Sequence, residues 1–151
     1  MRDKRFIAEH RGGPLTKQQH VLLMKWAIEC SKHVLTLSSE NLDPALIQAL
    51  ETAKAWMQGE ASVGEARKAS AKCHAVARET NDPVLVAVAR AIGHAVATAH
   101  MADHSLGPAW YALKAVKCAG GSIEKEREWQ NEQLQPEIRE LALSAQKLRK
   151  I

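Results

Sequence analysis

The sequence predicts an all-α fold, a compact bundle of about six or seven helices, and three observations carry that prediction. The apolar share is 46% while aromatics make up only 4%, so alanine supplies much of the apolar content. Small residues suit closely packed helices, whereas β-sandwiches draw on β-branched and aromatic side chains. Helix-start signals recur along the chain, and no stretch alternates apolar and polar residues with the period of two that a half-buried strand requires. At 151 residues the chain matches one domain, 1–151, able to bury roughly 70% of its unfolded surface.

The elements follow in order. Thr16 and Gln19 have capping-box spacing, in which the hydroxyl takes the third helical N–H and the amide reaches back. From there Val21, Leu22, Trp26, Cys30, Val34 and Leu37 recur at three and four residues, and this helix is expected to end near Ser38. Asp43-Pro44 joins an N-cap acceptor to a proline whose missing N–H costs nothing at the first helical position. Leu46, Ile47, Leu50, Ala53, Trp56 and Met57 give its inward face, and Gly59 stops it. Ser62 and Glu65 open a third helix through Ala66, Ala69, Cys73 and Ala77, and Asn81-Asp82-Pro83 starts a fourth.

The fourth helix, predicted over 83–105, is the most informative because its only formally charged residues are Arg90 and Asp103. A solvated helix would carry Lys and Glu. Leu85, Val88, Ile92, Val96 and Ala99 fall on one side and Arg90, His94, Met101 and His104 roughly opposite, so both sides look protected and the helix is expected to be central. Gly107-Pro108 marks a turn and a fresh start; Trp110, Leu113, Val116 and Ala119 continue to Gly120-Gly121. Ser122 or Glu124 begins a charged segment, Pro136 interrupts or restarts it, and Ile138, Leu141, Leu143 and Leu148 mark a last amphipathic helix. The tetrapeptide HAVA occurs at 74–77 and 94–97, which packing similarity in alanine-rich helices explains without a repeat architecture.

The formal charge of +4 sits in one place. Residues 1–25 carry six Lys/Arg against two Asp/Glu, and the remainder sums to zero. Residues 1–15 therefore read as a basic N-terminal arm. Its four Arg/Lys and Phe6 could serve a nucleic-acid backbone or an acidic protein. Solvated terminal charge is the simpler reading, and nucleic acid is not the expected partner. No signal-peptide pattern or stretch of about 20 apolar residues is present, so no membrane association and a cytoplasmic location are expected. Cys30, Cys73 and Cys118 are odd in number and far apart, which predicts buried free thiols.

Candidate chemistry centres on histidine. His100 and His104 are spaced i, i+4, which on a helix places two imidazoles on one face as in helical metal sites. Met101 stands where the zinc signature needs glutamate, so no metal is assigned and the pair is expected to be hydrogen-bonding. Arg67 and His74 share a face of the third helix, and Arg90, His94 and His104 form a stripe on the fourth. Antiparallel packing would bring all five together as a polar network or a partner site. Glu29, Glu65 and Asp103 are the carboxylates a buried arginine could recruit. Trp26, Trp56, Trp110 and Trp129 read as core or subunit-interface anchors, which also makes a homodimer a candidate state. No phosphate loop, nucleophile elbow or cofactor motif is present, so no cofactor and no catalytic residue are assigned.

The segments EHRGGPL (9–15), GEARKA (64–69), ARAIGHAVATAHMADHSLGPAWYALKAV (89–116) and EREWQ (126–130) together resemble the Imm-five-like putative immunity proteins of bacteria. The resemblance covers nearly the whole chain. It implies an all-helical protein that neutralises a protein toxin by binding rather than catalysis. Inhibitors of nucleases often carry acidic charge that mimics nucleic acid, so this basic chain is expected to meet another type of toxin. The alternative is a small enzyme or ligand-binding domain using the His/Arg cluster on helices 63–79 and 83–105.

Overall fold

The computed structural model describes residues 2–38 and 42–151. Among these, seven α-helices form and no strand: α1 Lys17–His33, α2 Pro44–Met57, α3 Val63–Arg78, α4 Pro83–Ala97, α5 Leu106–Cys118, α6 Ile123–Glu132 and α7 Pro136–Arg149. The helix starts follow the local chemistry. Thr16 and Gln19 complete a reciprocal capping box, and Asp43, Ser62, Asp82 and Ser122 each accept a backbone N–H of the first turn. Such a cap is worth about 1 kcal/mol. Gly59, with φ 78°, occupies the left-handed conformation that closes α2, a region costly for any residue with a Cβ.

The central position belongs to α4, which packs against α1, α2, α3 and α5. Ala87, Val88, Ala91, Ile92, Ala95 and Val96 are all buried. Alanines at this density let the neighbouring helices approach closely, which explains how so few aromatics suffice. The core divides into two apolar clusters. One gathers Met24, Leu46, Trp56, Val88, Ile92 and Val96 between α1, α2, α3 and α4. The other holds Phe6, Leu15, Leu23, Trp26, Leu106 and Ile138 beneath the N-terminal segment and α7. Helix α1 contributes to both, so it is buried on two faces.

The helix expected over 83–105 runs as an α-helix only to Ala97, and residues 102–105 form a separate 3-10 turn. Two features end it. Met101 is extended at φ −141°, and the Thr98 carbonyl, which a longer helix would satisfy internally, accepts instead from Nε2 of His20 on α1 at 2.6 Å. Pro108 lacks the N–H that a continuous helix would need, and it sits harmlessly in the first turn of α5. The first helix likewise stops at His33, with a 3-10 turn over Leu35–Leu37 carrying the chain to Ser38.

The basic N-terminal segment folds against the body. Phe6 and Leu15 are 4% and 2% exposed. Leu15 donates to the Ile7 carbonyl and Glu9 to the Leu15 carbonyl, closing a loop in which a Cβ on Gly13 would run into the Ile7 backbone. Arg2 pairs with Asp103 at 3.0 Å, while Arg5 binds Asp3 and donates to Ser144 of α7.

The tryptophans divide between interior and surface. Trp26 and Trp56 are buried. Trp26 Nε1 donates to the Gln130 carbonyl, and Gln130 Nε2 donates in turn to the Ala109 carbonyl, which ties α6 to α1 and α5. Trp129 stacks on His33 at 3.5 Å between centroids, and His33 Nδ1 lies 2.8 Å from Glu126. Trp110 is 40% exposed. The expectation of three buried thiols is corrected: Cys30 and Cys73 are buried, whereas Cys118, at the last turn of α5, is exposed.

Candidate functional site, a histidine and arginine cluster

The polar cluster is assembled from four elements. On α3, Ser70 and His74 lie one turn apart and face α4; on α4, Arg90 and His94 are spaced i, i+4; the 3-10 turn supplies His104; and α5 supplies Tyr111. Two glycines admit the rings. A Cβ at Gly93 would sit 2.9 Å from Cε1 and Nε2 of His74, and one at Gly107 would sit 2.7 Å from Cγ of His94. Ser70 donates to the Gly93 carbonyl at 2.9 Å and so fixes α3 against α4 at the same level.

The rings form a contiguous row. His74 and His94 stand 5.3 Å apart in an edge-on arrangement, His94 and His104 are 5.5 Å apart, and His94 lies over Tyr111 at 5.2 Å and 21°. Arg90 donates to Nδ1 of His74 at 2.6 Å. An arginine has no acceptor, so that nitrogen must be unprotonated, and His74 is neutral with its proton on Nε2. Burial holds the pKa of His94 down at about 4, and His104, His74 and Arg90 push in the same direction. His74 is lowered by burial and then by Arg90 and Arg78. Burial lowers His104 too, against the opposing pull of Asp103. Near neutral pH the row is therefore a set of uncharged imidazoles beside one guanidinium.

Of the five residues singled out in the sequence, His74, Arg90, His94 and His104 meet in this row. Arg67 is exposed, and its charge is felt at His100. Arg90 takes an imidazole as its partner; Asp103 pairs instead with Arg2 and with Arg149 at 3.3 Å, joining both ends of the chain to the 3-10 turn. His100 and His104 do not share a helix, because the chain is extended at Met101 between them. Among the described residues no three His, Cys, Asp or Glu side chains gather as a metal site. His100 lines a cavity of about 50 Å³ together with Arg2, His10, Arg11, His20 and Asp103. Sequence reasoning missed Tyr111 and His20. Tyr111 was within reach, since it lies four residues after Gly107 on the same helix face; His20 gave no local signal for its distant partner.

Chemically, the row is packed ring against ring. Hydrogen bonds join α3 to α4, and ring contacts carry the row on to the 3-10 turn and α5.

This seven-helix protein, with a half-buried row of imidazoles beside one guanidinium, belongs by its sequence to a class of immunity proteins. Residues 13–137 match the family model for the Imm-5 like putative immunity protein, and the chain belongs to that family. The match spans every helix from α1 to α6 and the first residues of α7, and so includes the whole histidine row. Comparison with curated proteins and with solved structures gives no match.

Proposed function

We propose that this protein neutralises a bacterial toxin by stoichiometric binding, as the toxin's cognate inhibitor. The observation that carries the reading is family membership over residues 13–137. Two hydrogen bonds of the cluster, Arg90 to Nδ1 of His74 and Ser70 to the Gly93 carbonyl, brace α3 against α4. Their role in this reading is to hold helices in register, so that the outer surface is presented as a rigid body. Preorganisation of that kind lowers the ordering cost of association. No helix among the described residues is long and apolar enough to cross a membrane, which is consistent with a partner met in solution.

The test is co-expression with the products of the genes beside its own. The expected outcome is rescue from one toxic product together with co-purification of the two chains. Rescue without any complex, or no toxic neighbour, would reject the reading.

A further inference from the structure

The surface carries a groove between α5 and α6. Helix α5 lays Trp110, Leu113, Lys114 and Lys117 along one wall, at the i, i+3, i+4, i+7 spacing of a single helix face. Ile123 and Arg127 of α6 form the other wall, Lys150 and Ile151 close one end, and the volume is about 360 Å³. Leu113 is buried at its floor, while Trp110 and Ile123 are 40% and 36% exposed. The four charged side chains lining it are all cations. Among the described residues none of Lys114, Lys117, Arg127 and Lys150 forms an ion pair. Arg127 donates to the Ile151 carbonyl at 3.3 Å, and the Lys114 ammonium stands 5.5 Å over the Trp110 ring.

Trp110 is also coupled to the histidine row. Its ring meets Tyr111 edge-on at 4.8 Å, and Tyr111 stacks on His94. The groove wall is thereby in contact with the histidine row.

We propose that this groove is the toxin-binding surface, taking a partner segment that sets an apolar side chain against Trp110 and acidic side chains against the lysine and arginine rim. The proposal rests on the inhibitor reading above. An exposed tryptophan over an apolar floor is the composition of an interface anchor, and Trp and Arg dominate binding hot spots. A rim of cationic side chains favours an acidic partner and accelerates its approach. A second copy of this chain docking by the same groove would bring like charges together. A concave cleft between two helices suits an inserted segment of protein better than a lipid surface.

The experiment uses the full chain and the toxic product of the neighbouring gene. Trp110→Ala and the pair Lys114→Glu/Lys117→Glu are compared with Lys68→Glu/Lys72→Glu, two exposed lysines of α3, all checked for native helicity. Trp110→Ala is expected to weaken the complex on the order of 30-fold. The α5 charge reversal is expected to slow association about 10-fold or more and to flatten its salt dependence; the α3 control should do neither. Wild-type protein that binds while the groove variants bind equally well overturns the groove and leaves the inhibitor reading standing. Wild type that neither binds nor rescues overturns both. Loss of self-association, or loss of binding to phosphatidylglycerol vesicles, as the sole effect of the groove variants would assign the surface to a second copy or a membrane and overturn the proposal.

Discussion

Gly107 packs so closely on His94 that a Cβ at position 107 would lie 2.7 Å from Cγ and 2.8 Å from Cβ of the imidazole side chain. Those atoms sit next to the α4 backbone and cannot swing aside. Gly107→Ala should therefore lower stability by about 1–3 kcal/mol through overpacking. At Gly93 the closest obstruction is the far end of the His74 ring, which can rotate at the expense of its Arg90 hydrogen bond, with the Cys73 Cβ a looser contact at 3.3 Å. Gly93→Ala also gains about 1 kcal/mol of helix propensity, so it should cost less than Gly107→Ala. Urea unfolding of the two variants checks the order; equal costs would show that the rings are not held as described.

Stability should fall as the solution is acidified. His20, His74, His94, His100 and His104 all have folded pKa values below the ordinary 6.5, with His94 at about 4. Between those values the unfolded chain binds protons that the folded chain refuses. Stability is thus complete above about pH 6.5 and declines as pH falls, the His94 contribution being lost by about pH 4. Allowing for its partial exposure, His94 alone accounts for on the order of 1–3 kcal/mol. Denaturation midpoints from pH 7.5 to 4 should show this slope, and His94→Gln should make it shallower.

His20 should matter for stability although it lies outside the row. It is 4% exposed, its Nε2–H caps the end of α4 at the Thr98 carbonyl, and its ring packs on Trp56 at 4.7 Å. His20→Leu preserves bulk but strands that carbonyl, at a cost of about 1–3 kcal/mol. Thermal unfolding measures the loss, and amide exchange should show it concentrated at residues 98–105.

One thiol should react in the native protein and three after denaturation. Cys118 is exposed, whereas burial raises Cys73 to about 12 and lifts Cys30 well above the ordinary thiol range. Titration with a chromogenic disulfide counts them. Fast labelling of Cys73 would contradict the packing of α3 on α2 and α4.

Much of this was legible in the sequence where the signal is local. Thr16, Asp43, Ser62 and Asp82 announce helix starts by side chain and spacing, and each caps as its chemistry requires. The lack of charge in α4 announced its burial. The break after Ala97 was not legible, because the Thr98 carbonyl it frees is taken by His20, 78 residues away in the chain. Reading through that break put His100 and His104 on one helix face and so created an apparent metal pair. The meeting of His74, Arg90 and His94 followed from helical spacing plus antiparallel packing, whereas His104 reaches the row from the 3-10 turn beyond the break. The pairing of Asp103 with Arg2 and Arg149 did not follow from spacing, since it joins both ends of the chain. Nor could periodicity separate Trp110, which is exposed, from Trp26 and Trp56, which are buried, because all three follow an apolar stripe.

The central claim is that the protein acts as a binding inhibitor, and titration of its toxin tests it most directly. Purified toxin at a concentration well above the dissociation constant is mixed with increasing amounts of this protein, and residual toxin activity is followed over time. Immediate loss of activity in proportion to the amount added is expected, with a sharp end point at equimolar protein. Time-dependent inactivation by substoichiometric protein would instead reveal turnover, contradict the inhibitor reading and return the histidine row to consideration as a catalytic site.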